Sequence, residues 1–191
     1  MEGRWVLIEQ GQVPLRCWWN NPQKESKNVV LVLPEVFGIN NWVRSVVDRF
    51  AEHGIPALAM PLFARTAPEL NLGYGEDDLT EGRRHKDQTT TQQILDDSSA
   101  ALYWLKQQYS HSKITVVGFC FGGHAALITS TLPEVDTTFD FYVASVATTK
   151  PCGGAAVGTA GLIGATVVCF TGILCPVALA AWQLECLVVA S

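Results

Sequence analysis

The feature that most constrains the fold is a β-branched run that leads straight into a glycine-rich turn. Residues 115–117 read Thr-Val-Val, residues 118–123 read Gly-Phe-Cys-Phe-Gly-Gly, and a helix-compatible segment follows. A chain that turns this sharply from strand to helix needs small residues on both sides of the turn, and Gly118 and Gly122 supply them. The pattern predicts a nucleophile elbow with Cys120 at its apex. The alternative is a buried structural cysteine beside a tight turn.

The predicted turn places Cys120 among groups that suit reactive chemistry. The helix after it directs free backbone N–H groups and a positive dipole end at the sulfur, which favours thiolate over thiol. The backbone N–H of Phe121 is placed to stabilise an oxyanion, and the loop at Val36 can supply a second donor. A sulfur nucleophile beside two such donors indicates acyl transfer on esters or lactones.

A second candidate residue, Glu35, follows the apolar run Asn28–Leu33. A continuous run of this kind is typical of a strand that is buried on both faces in a parallel sheet. Glu35 lies between Pro34 and Val36, where desolvation would raise its pKa and suit the carboxyl to exchange a proton with a thiol. A solvated loop carboxylate is an equal alternative.

Apolar runs alternate with segments of helical periodicity, which predicts an α/β fold with a mostly parallel sheet covered on both faces. Carboxyl ends of parallel strands meet at one edge, so Glu35 and Cys120 are expected to lie at the same edge. A helix capped by Asn40 or Asn41 is predicted to close at Gly54. The other predicted elements are strands at 4–8, 13–19, 28–33, 55–60 and 113–117, helices at 91–108 and 122–130, and a long polar surface excursion over 61–88.

Composition narrows the function classes. The length of 191 residues suits one α/β domain, and the net charge of −5 offers no basic surface for nucleic acid. The N-terminus lacks the basic and apolar regions of a signal peptide, so a cytoplasmic location is expected. The six cysteines form no Cys-x-x-Cys pair, so we expect neither a zinc site nor another cofactor.

Charge is distributed very unevenly between the two parts of the chain. Of the 31 charged residues, 29 lie in residues 1–141, and 151–184 carry none. That length is enough for a membrane span by hydropathy, but six glycines and Pro176 interrupt it and favour buried strands and turns, or an altered sequence. We therefore interpret residues 1–191 as a single domain, with 143–191 as a divergent apolar tail.

Three separated motifs resemble one protein family. Residues 34–40 (PEVFGIN), 61–65 (PLFAR) and 118–123 (GFCFGG) occur in the order and spacing of the dienelactone hydrolases, or carboxymethylenebutenolidases. The resemblance covers about residues 5–142 and implies an α/β-hydrolase fold without a cofactor. It implies that Cys120 attacks a small, anionic ester or lactone with help from an aspartate and a histidine. It also implies that Glu35 holds the resting thiol and takes its proton, and that an arginine in the region of Arg83 and Arg84 grips the substrate carboxylate.

The chain departs from the family pattern after the strand expected at 166–170. The family has Gly-x-x-Asp there, whereas this chain has Gly172 through Cys175, and no histidine follows His124. We therefore expect impaired activity and a missing last strand and helix, with self-association through the uncovered face. His124, one helical turn after Cys120, is not expected to serve as the base. The other three histidines, His53, His85 and His111, are predicted to lie in helix-end or surface segments.

Two alternatives to a hydrolase remain open. The first is a non-catalytic relative that binds a small acid or a partner chain in the same pocket. The second is a membrane-attached domain that uses residues 155–182 as a span, against which the glycine and proline content argues.

Overall fold

The computed structural model describes residues 3–22 and 26–141, together with the backbone of Thr166–Phe170. The strands are β1 (Arg4–Ile8), β2 (Leu15–Asn20), β3 (Asn28–Leu33), β4 (Ala57–Ala59), β5 (Lys113–Phe119), β6 (Thr137–Phe141) and β7 (Thr166–Phe170). The helices are α1 (Asn41–Glu52), α2 (Glu76–Asp87), α3 (Thr91–Gln108) and α4 (Phe121–Thr129).

The described strands form one mixed, mostly parallel sheet in the order β1-β2-β4-β3-β5-β6-β7. The first two form an antiparallel hairpin, and β2 also runs antiparallel to β4. The remaining neighbours, from β4 through β3, β5 and β6 to β7, pair in parallel. This topology confirms the α/β prediction and places the glycine-rich turn at the end of a central strand.

The register between β3 and β5 explains why two distant motifs meet. Leu33 pairs with Gly118 at the carboxyl ends of these strands. Because parallel strands end at the same edge, the loop that begins at Pro34 and the turn at Cys120 leave the sheet side by side. The predicted common edge for Glu35 and Cys120 is therefore present.

Helices cover both faces of the sheet. On one face α1 packs its apolar side, which includes Val43 and Val47, against Val30 and Val32 of the central strand. On the other face α3 and α4 bury a larger core that contains Leu102, Leu105, Ile114, Val116, Ala125 and Ala126. Of the two predicted caps of α1, Asn40 is the N-cap residue, and its side chain accepts a hydrogen bond from the backbone N–H of Val43 at 3.1 Å.

The segment predicted as a surface excursion over residues 61–88 is largely exposed beyond residue 64, but it is not irregular throughout. This segment contains α2, and Gly82 and His85 on that helix are buried. Three acidic residues in its first turn and three basic residues in its last turn complement the helix dipole. The polar composition concealed the helix because most of its surface faces water, while its small buried face is defined by contacts with distant loops.

Several predicted elements agree closely with the structure, and others fall outside it. The helix α3 has the predicted bounds, and β5 extends two residues further than expected, to Phe119. Pro56 and Met60 flank β4, which is shorter than the predicted 55–60. Except for the backbone of β7, the predictions for the tail over 143–191 lie outside the described residues.

Candidate active site

Cys120 occupies a strained turn between β5 and α4. Its backbone has φ 53° and ψ −114°. Among the described residues it is the one non-glycine residue with a positive φ. A conformation of this kind costs about 1–3 kcal/mol and persists where the surrounding structure enforces it. Because Cys120 is also the N-cap residue of α4, the strained turn sets it at the positive end of that helix.

Two glycines allow the backbone around Cys120 to pack this tightly. A Cβ added at Gly118 would lie 2.1 Å from the carbonyl oxygen of Gly122. A Cβ added at Gly122 would lie 2.1 Å from the carbonyl oxygen of Leu33. Contacts this short do not occur in real proteins, so both positions require glycine. The second contact also holds the start of α4 against the end of β3, next to Glu35.

Burial raises the pKa of the Cys120 thiol above its ordinary value, and the charge of Glu35 raises it further. A hydrogen bond from the backbone of Phe121 and the charge of Arg83 lower the pKa, but the raising effects are larger. The helix end was expected to favour thiolate, but its effect on the pKa is the smaller one here. Donors at the helix end act on the sulfur, yet desolvation and a nearby carboxylate outweigh them.

Glu35 is buried, with 7% of its surface exposed. The hydroxyl of Tyr74 donates a hydrogen bond to its Oε2 at 3.1 Å. The alternative of a solvated loop carboxylate is therefore excluded by the structure. Since the charge of Glu35 acts on the Cys120 thiol, the two predicted reactive groups lie within electrostatic reach of each other.

The two residues predicted to supply oxyanion donors are also buried at this edge. The ring of Phe121 stacks on that of Phe63, with centroids 5.9 Å apart and planes inclined by 15°. Val36 is covered by α2, because a Cβ at Gly82 would lie 2.4 Å from the Val36 carbonyl oxygen. The helix that sequence reasoning missed thus packs directly over the loop that holds Glu35 and Val36.

The structure separates the two candidate arginines. The guanidinium of Arg84 is bound to Glu81, with Nη2 2.6 Å from Oε1. Arg83 is exposed, and its charge lowers the pKa of Cys120. Within the described part of the chain, Arg83 has no carboxylate at ion-pair distance. Of the pair, Arg83 is the one whose charge reaches the sulfur.

The structure corrects the placement of one histidine and refines that of another. His85 is not a surface residue: it is buried, binds Thr66 and Glu81, and stacks on Phe63. His124 is half-buried and stacks on Phe121. Burial and the charge of Lys86 lower the pKa of His124, so its imidazole is neutral near pH 7.

Tyr74 is the residue at this site that sequence reasoning missed. It precedes Gly75, the N-cap residue of α2, and its ring packs edge-on against Phe37 with centroids 4.7 Å apart. Its sequence signal was weak, because a single tyrosine in a polar segment shows no periodicity. Only the pairing of this segment with the loop after β3 brings its hydroxyl to Glu35.

Other site classes find no support in residues 3–22 and 26–141. This part of the chain contains no group of three or more His, Cys, Asp or Glu side chains arranged to hold a metal ion. It also contains no helix with the length and apolar character needed to cross a bilayer. The span considered over 155–182 lies outside the described residues.

The strand order, with a strained elbow after the central parallel strand β5, defines an α/β-hydrolase fold. A Klebsiella pneumoniae protein provisionally assigned as a dienelactone hydrolase has the same fold, with a TM-score of 0.66, 19% identity, and coverage of 87% of this chain and 70% of that one. The family model for the dienelactone hydrolase family matches residues 15–161. The chain therefore belongs to the dienelactone hydrolase family.

Curated relatives match the same region. A carboxymethylenebutenolidase from Pseudomonas putida is 29% identical over 129 residues, which is 64% of this chain and 52% of that protein. A Synechocystis protein, provisionally assigned as a carboxymethylenebutenolidase, is 35% identical over 120 residues, which is 62% of this chain and 49% of its own length. The chain thus spans about half the length of these relatives.

Proposed function

We propose that this protein is a hydrolase of small esters or lactones that uses Cys120 as its nucleophile. The observation that carries the proposal is the strained backbone of Cys120 at the start of α4, with a backbone donor from Phe121 on its sulfur. A fold keeps such strain where it serves a site, and a merely structural cysteine does not need it.

The proposed reaction begins with proton transfer from Cys120 to Glu35. The S–H bond breaks, an O–H bond forms on the carboxylate, and the thiolate attacks the substrate carbonyl carbon. The carbonyl π electrons move to oxygen, where the backbone N–H groups of Phe121 and Val36 stabilise the charge. Collapse of this intermediate expels the alkoxide and leaves an acylated Cys120. The proton on Glu35 returns to the leaving oxygen.

The proposed substrate carries a negative charge. Arg83 is exposed, and its charge reaches the sulfur, so its guanidinium can pair with a carboxylate on a molecule bound at Cys120. The relatives named carboxymethylenebutenolidases support this choice, because that name denotes hydrolysis of a carboxylated lactone. Glu35 and Cys120 then act on the ester bond while Arg83 holds the acid.

We propose that the 191-residue chain acylates slowly and releases the acyl group more slowly still. Deacylation needs a base that activates water. The described histidine nearest in sequence, His124, stacks on Phe121 along the elbow helix and not on an opposite wall of the site. Attack by the thiolate can proceed with Glu35 as proton acceptor, whereas the sequence has no histidine after His124 to act as the water-activating base that the family pattern implies.

The test is the reaction of the 191-residue protein with an activated aryl ester. We expect a burst of aryl alcohol equal in amount to the protein, followed by a much slower phase. Cys120→Ala should abolish the burst. Cys17→Ala is the matched control, because Cys17 lies in β2, is fully buried, and should leave the burst intact. Rapid multiple turnover would contradict slow deacylation, and a burst that survives Cys120→Ala would overturn the nucleophile.

A second candidate is a non-catalytic relative that binds a small acid, as the raised pKa of the Cys120 thiol favours. In that case a small carboxylate binds in calorimetry with an affinity that depends on Arg83. The wild-type protein then forms no acyl adduct by mass spectrometry, and that result separates the two candidates.

A further inference from the structure

The loop after β3 is joined to residues 70–72 by backbone hydrogen bonds. The N–H of Ile39 donates to the carbonyl of Leu70 at 3.1 Å, and the N–H of Leu72 donates to the carbonyl of Phe37 at 2.9 Å. Gly38 and Asn71 form the bridge between these bonds. Gly38 has a φ of +77°, and a Cβ there would lie 2.1 Å from the carbonyl oxygen of Leu70. The two segments are therefore held in one fixed register.

This register brings Tyr74 to Glu35. Residue 74 lies two positions after the joined segment, and its ring packs against Phe37 on the loop after β3. Its hydroxyl donates to Glu35 Oε2 at 3.1 Å, while half of the Tyr74 surface remains exposed. The hydrogen bond between Tyr74 and Glu35 is therefore set by the fold, because the same pair of backbone segments holds both residues in place.

We propose that Tyr74 is a positioning residue that keeps the proton on Cys120 in the resting protein, by holding Glu35 as a carboxylate. This inference rests on the proposed function, in which Glu35 is the proton partner of the thiol. The proposal adds Tyr74 to the pair formed by Cys120 and Glu35, and it gives the segment before α2 a role at the site.

The proton balance makes the proposal specific. Cys120 and Glu35 share one proton, either as thiol and carboxylate or as thiolate and carboxylic acid. Conversion of the first form into the second breaks the S–H bond, forms an O–H bond on Glu35, and moves the negative charge from oxygen to sulfur. A hydroxyl donor stabilises the carboxylate more than the acid. Tyr74 therefore lowers the resting fraction of thiolate.

Other charged or titratable groups lie near Cys120, and the variants used in the test leave them unchanged. They are Arg83, whose charge acts on Cys120, Lys86, whose charge acts on His124, and His124 itself. The first two lie on α2 and the third on α4. None of them is altered in the variants below, so a change in thiolate fraction reports on Tyr74 and Glu35.

The test measures how fast neutral iodoacetamide alkylates Cys120 between pH 5 and pH 10 in the 191-residue protein. Because the chain has six cysteines, modification of Cys120 is quantified by peptide mass spectrometry. We expect Tyr74→Phe to raise the rate near pH 7 by about three- to tenfold, the size expected for loss of a half-exposed hydrogen bond to a carboxylate. Phenylalanine keeps the ring contact with Phe37, and thermal unfolding checks that the variant is folded.

Two comparisons separate this role from a structural one. Tyr103→Phe is the matched control, since Tyr103 is 55% exposed on α3 against 50% for Tyr74, and its rate should equal wild type. The gain from Tyr74→Phe should vanish when Glu35→Gln is already present, because no carboxylate is left to stabilise. A Tyr74→Phe rate equal to wild type, or a gain that persists beside Glu35→Gln, overturns the proposal.

Failure of this inference and failure of the proposed function give different results. If Tyr74 has no role, the ester burst still depends on Cys120, and the alkylation rate of Cys120 is the same in Tyr74→Phe as in the wild type. If the proposed function fails, the burst survives Cys120→Ala or does not occur. If Glu35→Gln leaves the alkylation profile unchanged, Glu35 is not the proton partner, and this proposal falls with that assignment.

Discussion

Neighbouring residues of the same type have different roles in this protein, as Arg83 and Arg84 show. Sequence reasoning could not choose between them, because adjacent arginines on a polar segment are equivalent without a fold. In the structure Arg84 is bound to Glu81, while the charge of Arg83 acts on the Cys120 thiol. The helical turn of α2 makes the difference, since consecutive side chains on a helix point about 100° apart.

This difference predicts a charge-dependent effect on acylation. Arg83→Gln should slow the burst with an anionic aryl ester by about tenfold, the effect of losing one charge-assisted contact, and should change the burst with a neutral ester much less. Arg84→Gln serves as the control and should behave as wild type with both esters. Equal losses for anionic and neutral esters would show that Arg83 supports the fold and does not bind the substrate.

At the scale of elements, the elbow depends on contacts between backbones. The start of α4 touches the end of β3 at Gly122, and β5 touches α4 at Gly118. These contacts involve carbonyl groups held in the sheet and helix, which cannot move aside as a flexible side chain can. The strand, the turn and the helix thus form one rigid unit around Cys120.

Gly122→Ala should therefore destabilise the protein by more than about 2 kcal/mol and abolish the burst, since the added Cβ would meet the Leu33 carbonyl oxygen at 2.1 Å. Gly54→Ala is the control: it has a φ of +79° but open space, so it should cost about 1 kcal/mol and retain the burst. Urea unfolding measures both changes. Equal destabilisation by the two variants would show that the Leu33 carbonyl relaxes away from the added Cβ, and would contradict this account of the close contact.

At the scale of the whole molecule, one buried carboxyl links stability to pH. Asp140 lies in β6 with 2% exposure, and burial raises its pKa to about 7 from an ordinary 3.8. Among the described residues its Oδ1 has no hydrogen-bond partner. Because the folded state holds this proton more tightly than the unfolded state, stability falls as pH rises from about 4 to about 7 and then levels off.

Asp140→Asn should remove that dependence. The wild-type free energy of unfolding should decline between pH 4 and pH 7, and the variant should exceed it above pH 7 by at most about 4 kcal/mol, the value of about three pKa units. Thr138→Val is the control, because Thr138 is also buried in β6 and its Oγ1 also lacks a partner among the described residues, but it does not titrate. Parallel pH curves for wild type and Asp140→Asn would contradict this account.

The sequence by itself determined the features that depend on neighbouring residues. Apolar runs marked β3 and β5, helical spacing marked α3, and the glycines around Cys120 marked the turn, because strands, helices and tight turns obey local rules. The parallel arrangement followed from the alternation of these elements, and it brought Glu35 and Cys120 to one edge. The three motifs then indicated the family, which the match over residues 15–161 shows.

Only the tertiary structure decided the features that depend on distant segments. The polar pattern of α2 looked like a surface loop, yet contacts with Val36 and Phe63 bury Gly82 and His85. Tyr74 reaches Glu35 across 39 positions of sequence because two loops pair by backbone hydrogen bonds. The protonation state of the Cys120 thiol also depends on distant segments. Desolvation and the charge of Glu35 raise the pKa of this thiol, and both effects come from residues that only folding brings together.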